Sequence, residues 1–280
     1  MEIRINGKAA DITADSEKTV GEVMAGLEVW IAESGHRLSG LAINGKHIDS
    51  SSLEEAFSKE ISSVKTLDIN TSSIADLSAQ SLLRLIDDIN EFETLDFAKR
   101  AAFFDNWKES AEACFAAEQA QDLYLLYVNT FTGQGVNCEG LRSITEERLR
   151  EINTPSAELA AIQSLINEIC SRLADISLDI QTGKDGRAAQ TIQVFTALTE
   201  KIFRIFRQLD AQGYFPADEE KPAYTLIADF NAYVKELLEA YEKHDSVLVG
   251  DLAEYEIAPR LQEMYDTIEK FSCEKAASRG

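Results

Sequence analysis

The stretch from Pro155 to Leu209 constrains the fold of this 280-residue chain most strongly. Apolar residues recur in its first half at alternating steps of three and four, which places them on one stripe of a helix. They are Leu159, Ile162, Ile166, Ile169, Leu173, Ile176 and Ile180. After residues 181–186 a second stripe holds Ala188, Ile192, Phe195, Ile202, Phe206 and Leu209. Because neither helix can bury its apolar face alone, the sequence predicts a long antiparallel helical hairpin.

The rest of the chain beyond residue 73 is predicted to be helical as well. Two stripes precede the hairpin, with a break between them near Glu93-Thr94. They are Leu82, Ile86, Ile89 and Phe92, then Phe97, Ala101, Phe104, Trp107 and Ala111. A further hairpin follows, and its return helix begins with Leu248, Leu252 and Tyr255. Pro259 predicts a kink in that helix.

These patterns together predict an all-α domain over residues 74–280, built from long antiparallel hairpins. We expect about six to eight helices in it.

The first seventy residues have a different period. Apolar and polar residues alternate up to Asn6-Gly7, a dipeptide typical of tight hairpin turns. A helical stripe follows, formed by Val20, Val23, Met24, Leu27 and Ile31. After a second Asn-Gly turn at 44–45 and a short helix around 53–57, residues 64–69 read as a last strand. The predicted order is strand, strand, helix, strand, short strand, strand, and the polar stretch 70–73 marks the domain boundary.

This order, with the opening Met-Glu-Ile-Arg-Ile-Asn-Gly-Lys and the later Leu-Ala-Ile-Asn-Gly-Lys, resembles the β-grasp fold of ubiquitin and the small sulfur-carrier proteins. The resemblance covers residues 1–70 and implies a mixed sheet that grips one helix, so the whole chain is expected to be α+β. In those carriers a flexible tail ending in Gly-Gly does the chemistry, whereas here the chain continues beyond residue 73. Conjugation is therefore the least favoured function, and docking or packing the more favoured role of this domain.

Charge narrows the range of partners. The net charge is -22, of which residues 1–70 carry -5 (7 Lys and Arg, 12 Asp and Glu) and the remaining 210 carry -17 (20 against 37). Such a surface repels phosphate backbones and anionic lipids, so we expect no nucleic-acid or membrane partner. It suits a cytoplasmic protein, or one that binds a basic partner. The start of the chain has no secretory-signal pattern, and the four cysteines are widely spaced, as free thiols in a reducing compartment would be.

No linear motif points to a catalytic, cofactor or metal site. His36, His47 and His244 stand apart, without the spacing of metal ligands. The glycines at 133 and 135 have no Gly-Lys-Ser/Thr after them and no strand before them, so a helix-to-helix loop is predicted there. We therefore predict no catalytic residues, no cofactor and no metal.

One basic strip contrasts with the overall charge. Lys201, Arg204 and Arg207 alternate with Phe203 and Phe206 on the second helix of the central hairpin. The strip is a candidate docking site for an acidic or phosphorylated partner. The alternative, and the favoured one, is that these cations pair with neighbouring acidic helices.

Long helices, strong acidity and the lack of a cofactor motif favour a non-catalytic protein-binding protein: an adaptor, an assembly factor or an export-type chaperone. We expect its partner to be a protein, and the sequence also allows a homo-oligomer. The alternative function is an enzyme, or an enzyme subunit, whose site forms between domains and leaves no linear motif.

Overall fold

The computed structural model describes residues 1–12, 17–49, 52–215 and 222–279. Its contacts divide the chain into two compact units, Met1–Gly135 and Val136–Gly280. Within the described residues, no helix is long and apolar enough to cross a bilayer.

The first unit begins with a five-stranded sheet and the helices around it. The strands are β1 (Glu2–Ile5), β2 (Lys8–Ala9), β3 (His36–Ile43), β4 (Lys46–His47) and β5 (Thr66–Ser73). Helix α1 (Val20–Glu33) follows β2, while α2 (Leu53–Phe57) and a 3-10 turn (Ile61–Ser63) lie between β4 and β5.

The sheet has the strand order β2-β1-β5-β3-β4, with β1 and β5 parallel and the other neighbours antiparallel. Leu67 at its centre pairs with Ile3 on one side and Ile43 on the other. All three are buried in one core with the predicted stripe of α1. The expected β-grasp arrangement, a mixed sheet holding one helix, is confirmed.

Both predicted Asn-Gly turns are present. Asn6 and Gly7 have φ of 49° and 77°, and Asn44 and Gly45 have 53° and 77°. Two successive positive φ values are what a two-residue hairpin turn requires, and Asn and Gly tolerate them best.

Residues 70–73 belong to β5 and do not form a linker. Ser73 is the last residue paired with β3, opposite His36, and its Oγ accepts a hydrogen bond from Asp76 N at the start of the next helix. The strand therefore passes directly into a helix, with no tail after it. The predicted division into domains 1–70 and 74–280 stays a prediction.

Four helices complete the first unit: α3 (Ile74–Thr94), α4 (Phe97–Trp107), α5 (Ala111–Gln119) and α6 (Gln121–Phe131). The predicted break near Glu93-Thr94 is present. Trp107 is buried against Tyr127 and Phe131, and Phe131 in turn packs on Phe92. The second predicted stripe is confirmed only at Trp107, with Phe104 partly buried. It was wrong for Ala101 and Ala111, which are exposed, and for Phe97, which is 90% exposed.

The second unit contains eight helices in its described part and a π-helical turn. The helices are α7 (Cys138–Asn153), α8 (Pro155–Ala161), α9 (Gln163–Ala174), α10 (Ile176–Gln181), α11 (Asp185–Ala211), α12 (Pro222–Glu242), α13 (Ser246–Asp251) and α14 (Ala258–Arg279). The π-helical turn (Leu252–Ile257) joins α13 to α14. Helices are thus more numerous and shorter than the sequence predicted.

The predicted central hairpin is confirmed, with α8, α9 and α10 packed against α11. Its first arm is three helices where the sequence predicted one, because the backbone leaves the helical conformation at Ile162 and Asp175, where ψ is 0° and -4°. Each break involves one residue, so the stripe keeps its phase. Six of its seven members, from Leu159 to Ile176, are buried in one core, and Ile180 packs at its edge.

Candidate functional site

The predicted basic strip on α11 is largely engaged inside the second unit. Lys201 Nζ donates to Glu147 Oε1 at 2.7 Å and to Glu158 Oε2 at 2.9 Å. Arg204 holds Glu151 with two parallel hydrogen bonds of 2.7 and 2.9 Å. These acids belong to α7 and α8, so two cations of the strip pair with neighbouring acidic helices, as the favoured alternative predicts.

The ion pairs with α7 and α8 fix α11, and the third cation of the strip, Arg207, takes no part in them. Glu151 is a buried carboxylate, and a bidentate guanidinium is the partner that best offsets its desolvation. Burial lowers the pKa of Lys201, but the hydrogen bonds that its ammonium group donates to two carboxylates outweigh burial and leave the pKa above its usual value. Arg207 is exposed and forms no ion pair with the residues that the structure describes. Docking by the strip stays a prediction, in which Arg207 is the free charge.

A second feature of this unit is the exposed stripe along α13 and the π-helical turn. Val247, Leu248 and Tyr255 are 63%, 44% and 62% exposed. Asp251 and Glu254 are exposed on the same side, since all five residues follow the spacing of one helical face. A hydrogen bond to Glu254 raises the pKa of Tyr255. Apolar and acidic groups therefore alternate along this stripe.

Close packing at Gly250 holds α13 against α10. A Cβ placed on Gly250 would lie 2.4 Å from Cβ of Ser177 in α10. Real carbon atoms keep contacts of about 3.5–4.0 Å, so only glycine permits this approach. The residue next to Gly250, Val249, is buried in the core of the second unit. Helix α13 is thus fixed by its inner face, and its outer face is left to solvent.

The π-helical turn sets which side of the return helix is buried. Val249, Ala253, Ile257 and Leu261 are buried at three successive steps of four. In a regular α-helix each step of four drifts about 40°, so the side chains would leave the core. A bond from Ala258 N to the carbonyl of residue 253 widens the turn and keeps the four on one face.

The sequence predicted Leu248, Leu252 and Tyr255 on one apolar stripe of the return helix. Leu252 is buried as predicted, whereas Leu248 and Tyr255 are exposed, so the prediction was wrong for these two. The sequence also predicted a kink at Ala258-Pro259. The change of buried face along this helix is explained by the π-helical turn, which ends at Ile257, directly before these two residues. The steps of four were the signal that could have identified the correct face.

The helices packed on α13 carry further exposed apolar side chains. Leu178 of α10 is 55% exposed, and Leu238 and Tyr241 of α12 are exposed as well. Helices α10 and α12 both contact α13, and α12 also contacts the π-helical turn. We call these six side chains the α13 surface. They are Leu178, Leu238, Tyr241, Val247, Leu248 and Tyr255.

The α13 surface lies in an acidic part of the chain. Residues 229–256 hold eight Asp and Glu against two Lys, a balance of -6. Within the described part of the chain, Glu236, Glu242 and Asp251 form no ion pair, and Glu239 meets only Lys243, at 3.8 Å. Glu256 pairs with Arg260, but within the described residues the other carboxylates around the apolar side chains are largely uncompensated.

No metal centre emerges from the residues that the structure describes, where no three His, Cys, Asp or Glu side chains come together as ligands. The predicted lack of catalytic residues and cofactors is not tested by this observation and stays a prediction.

Comparisons with known proteins bear on the two regions separately. A family described as "TP0873 N-terminal domain" matches residues 1–73, and a "Domain of unknown function (DUF8042)" matches residues 158–267. An uncharacterized protein of Treponema pallidum (strain Nichols) is 22% identical over 271 residues, which cover 96% of each chain. No solved structure matches the chain. The first match coincides with the sheet, and the second contains the whole α13 surface.

Proposed function

We propose that the chain is a non-catalytic protein-binding protein, of the adaptor, assembly-factor or export-chaperone type, and that it binds its partner through the α13 surface. The observation that carries the proposal is the grouping of six exposed large apolar side chains on four elements in contact. Single exposed apolar residues are common on any protein, whereas a group of them marks an interaction site.

The size of the surface fits this role. Leucine, valine and tyrosine side chains that are about half exposed leave on the order of 500 Å² of apolar area among the six. That is at the upper end of the largest patches on ordinary monomers, and a standard interface uses roughly 800 Å² on each partner. The apolar centre and its polar surroundings would together make an interface of ordinary size.

The charge distribution supports a protein partner over a nucleic acid or an anionic membrane. A phosphate-rich ligand would meet the -17 balance beyond residue 70, and repulsion would oppose binding. The same charge would keep a complex with an aggregation-prone client in solution.

The test is affinity capture from the native cell with three forms of the full chain. Val247→Asp places a charge on the α13 surface, at the second position of α13, where the helix dipole tolerates an acidic residue. Leu83→Asp is the matched control, because Leu83 is 51% exposed on α3, far in sequence from the surface.

We expect one or more proteins to be retained by the wild-type chain and by Leu83→Asp, and to be lost from Val247→Asp. Circular dichroism and thermal unfolding of the three forms establish that the variants fold. Equal retention by all three forms, or loss from both variants, would refute a binding role for this surface.

A further inference from the structure

We propose that the occupant of the α13 surface is an amphipathic helix whose apolar face is bordered by Lys or Arg. This proposal rests on the function proposed above and specifies the chemistry of the partner. Three properties of the surface lead to it: the apolar stripe, the uncompensated carboxylates beside it, and the overall charge of the chain.

The apolar part of the surface has the dimensions of a helix-binding site. Leu248 and Tyr255 are seven residues apart on the exposed face of α13 and the π-helical turn, and Val247 lies beside the first of them. At about 1.5 Å per residue the stripe is on the order of 12 Å long, or roughly two turns of a partner helix. Exposed apolar groups at such spacing are suited to the i, i+3, i+4 and i+7 anchors of an amphipathic helix.

The carboxylates determine the polar border of that helix. Asp251 and Glu254 lie between the apolar members of the stripe, and Glu242 lies near the end of α12, next to the turn that leads into α13. An acidic or neutral helix would leave these charges unmatched, while one with Lys or Arg beside its apolar face would pair with them. Positive charges would also accelerate association with a chain of net charge -22.

A second copy of this chain is the competing occupant, and the charge argues against it. Two such surfaces facing each other would bring together two regions that each carry a balance of -6 over residues 229–256. Like charges at close range oppose association, and few cations in this region could relieve them.

The experiment measures binding of defined peptides to the full chain by fluorescence anisotropy at physiological salt. The main probe is an amphipathic helical peptide of leucine and lysine, about four turns long. A second peptide carries glutamate in place of every lysine. A third keeps the lysines but scatters the leucines, so that its helix has no apolar face.

Two variants and two matched controls locate the binding. Val247→Ser removes an apolar group from the surface, with Leu83→Ser as its control. Asp251→Lys reverses a charge on the stripe, and Glu146→Lys makes the same change in net charge at an exposed position of α7.

We expect the leucine and lysine peptide to bind the wild-type chain and to bind more weakly, by about tenfold, after Val247→Ser or Asp251→Lys. The two controls should change its affinity by less than about twofold, and the glutamate and scattered peptides should bind at least about tenfold more weakly.

Three results would overturn the proposal. Equal weakening by Asp251→Lys and Glu146→Lys would show attraction to net charge alone. Preference for the glutamate peptide, with sensitivity to Val247→Ser, would refute the basic partner but leave the proposed function intact. Self-association of the chain in sedimentation, abolished by Val247→Ser, would make a second copy the occupant. Failure of the capture experiment, in contrast, would refute the proposed function itself.

Discussion

Replacing Gly250 by alanine should detach α13 from α10. The added Cβ would lie 2.4 Å from Ser177 Cβ and 2.9 Å from its Oγ, so about 1.3 Å of separation must come from backbone movement. Overpacking of this kind costs roughly 1 to 3 kcal/mol, and the clash is with an atom attached directly to a helix backbone, which favours the upper figure. Alanine recovers about 1 kcal/mol of helix propensity. The net loss of unfolding free energy should be about 2 kcal/mol.

A double-mutant cycle separates this steric effect from other causes. Ser177→Gly removes the obstructing Cβ and should alone cost about 0.5 kcal/mol in helix propensity. With that atom absent, Gly250→Ala should become neutral or slightly stabilising, so the two changes should be strongly non-additive. Gly186→Ala in α11 is the control, since its Cβ would meet nothing within 4 Å.

The assay is urea unfolding followed by far-UV circular dichroism, with global fits to the four members of the cycle and the control. The reasoning is refuted if Gly250→Ala is as stable as the wild type, or if the double variant loses the sum of the two single losses. Either result would mean that α13 does not approach α10 closely at Gly250.

Two further predictions concern stability, one in each unit. Ile169→Ala should lower the free energy of unfolding by about 2 to 5 kcal/mol, because Ile169 is fully buried in the central hairpin. Glu168→Ala should lower it by only a few tenths of a kcal/mol, since the ion pair between Glu168 and Arg172 is exposed. Similar urea midpoints for the two variants would contradict the phase of the stripe. Burial, with Glu112 and other nearby acids, raises the pKa of Asp88 to about 6 although Trp107 Nε1 donates to it. Because the folded chain favours the protonated form of Asp88, stability is lost as pH rises from about 4 to 6 and this carboxyl ionises. Asp88→Asn cannot ionise, so it should stabilise the chain by about 1 to 3 kcal/mol at pH 7 and by almost nothing at pH 4. A difference that does not vary with pH would contradict this.

The sheet and the central hairpin were predictable because local pattern and tertiary structure agree there. Asn6-Gly7 and the stripe from Val20 to Ile31 specify their turn and helix without reference to distant residues. The stripe of the hairpin also survives the breaks at Ile162 and Asp175, since a single non-helical residue does not change its phase.

The α13 surface was not predictable from a regular helical period. Leu248 and Tyr255 fit an α-helical stripe with Leu252, but of these three only Leu252 is buried, and the π-helical turn places Ala253 and Ile257 in the core beside it. The available signal for the buried face was the run of apolar residues at steps of four, from Val249 to Leu261, which includes the region next to Pro259. This signal was weak because one of its members, Ala253, has a small side chain. Hydrophobicity alone ranks Tyr255 above Ala253 for the core.

The pairing of the basic strip depended on information that lies outside α11. Whether Lys201 and Arg204 face solvent is decided by Glu147 and Glu151, which are more than fifty residues away. The sequence supplied the residues and both interpretations, but only the packing of α7 on α11 distinguishes them for these two cations.

Site-specific photo-crosslinking in the native cell tests the central claim most directly. A photoreactive amino acid would replace Val247 in the full chain, and the same residue at Leu83 would serve as the reference. The account predicts a discrete cross-linked product from position 247 only, in which mass spectrometry identifies a partner peptide rich in Lys or Arg next to apolar residues. No product, the same product from both positions, or a cross-link between two copies of this chain would contradict the account.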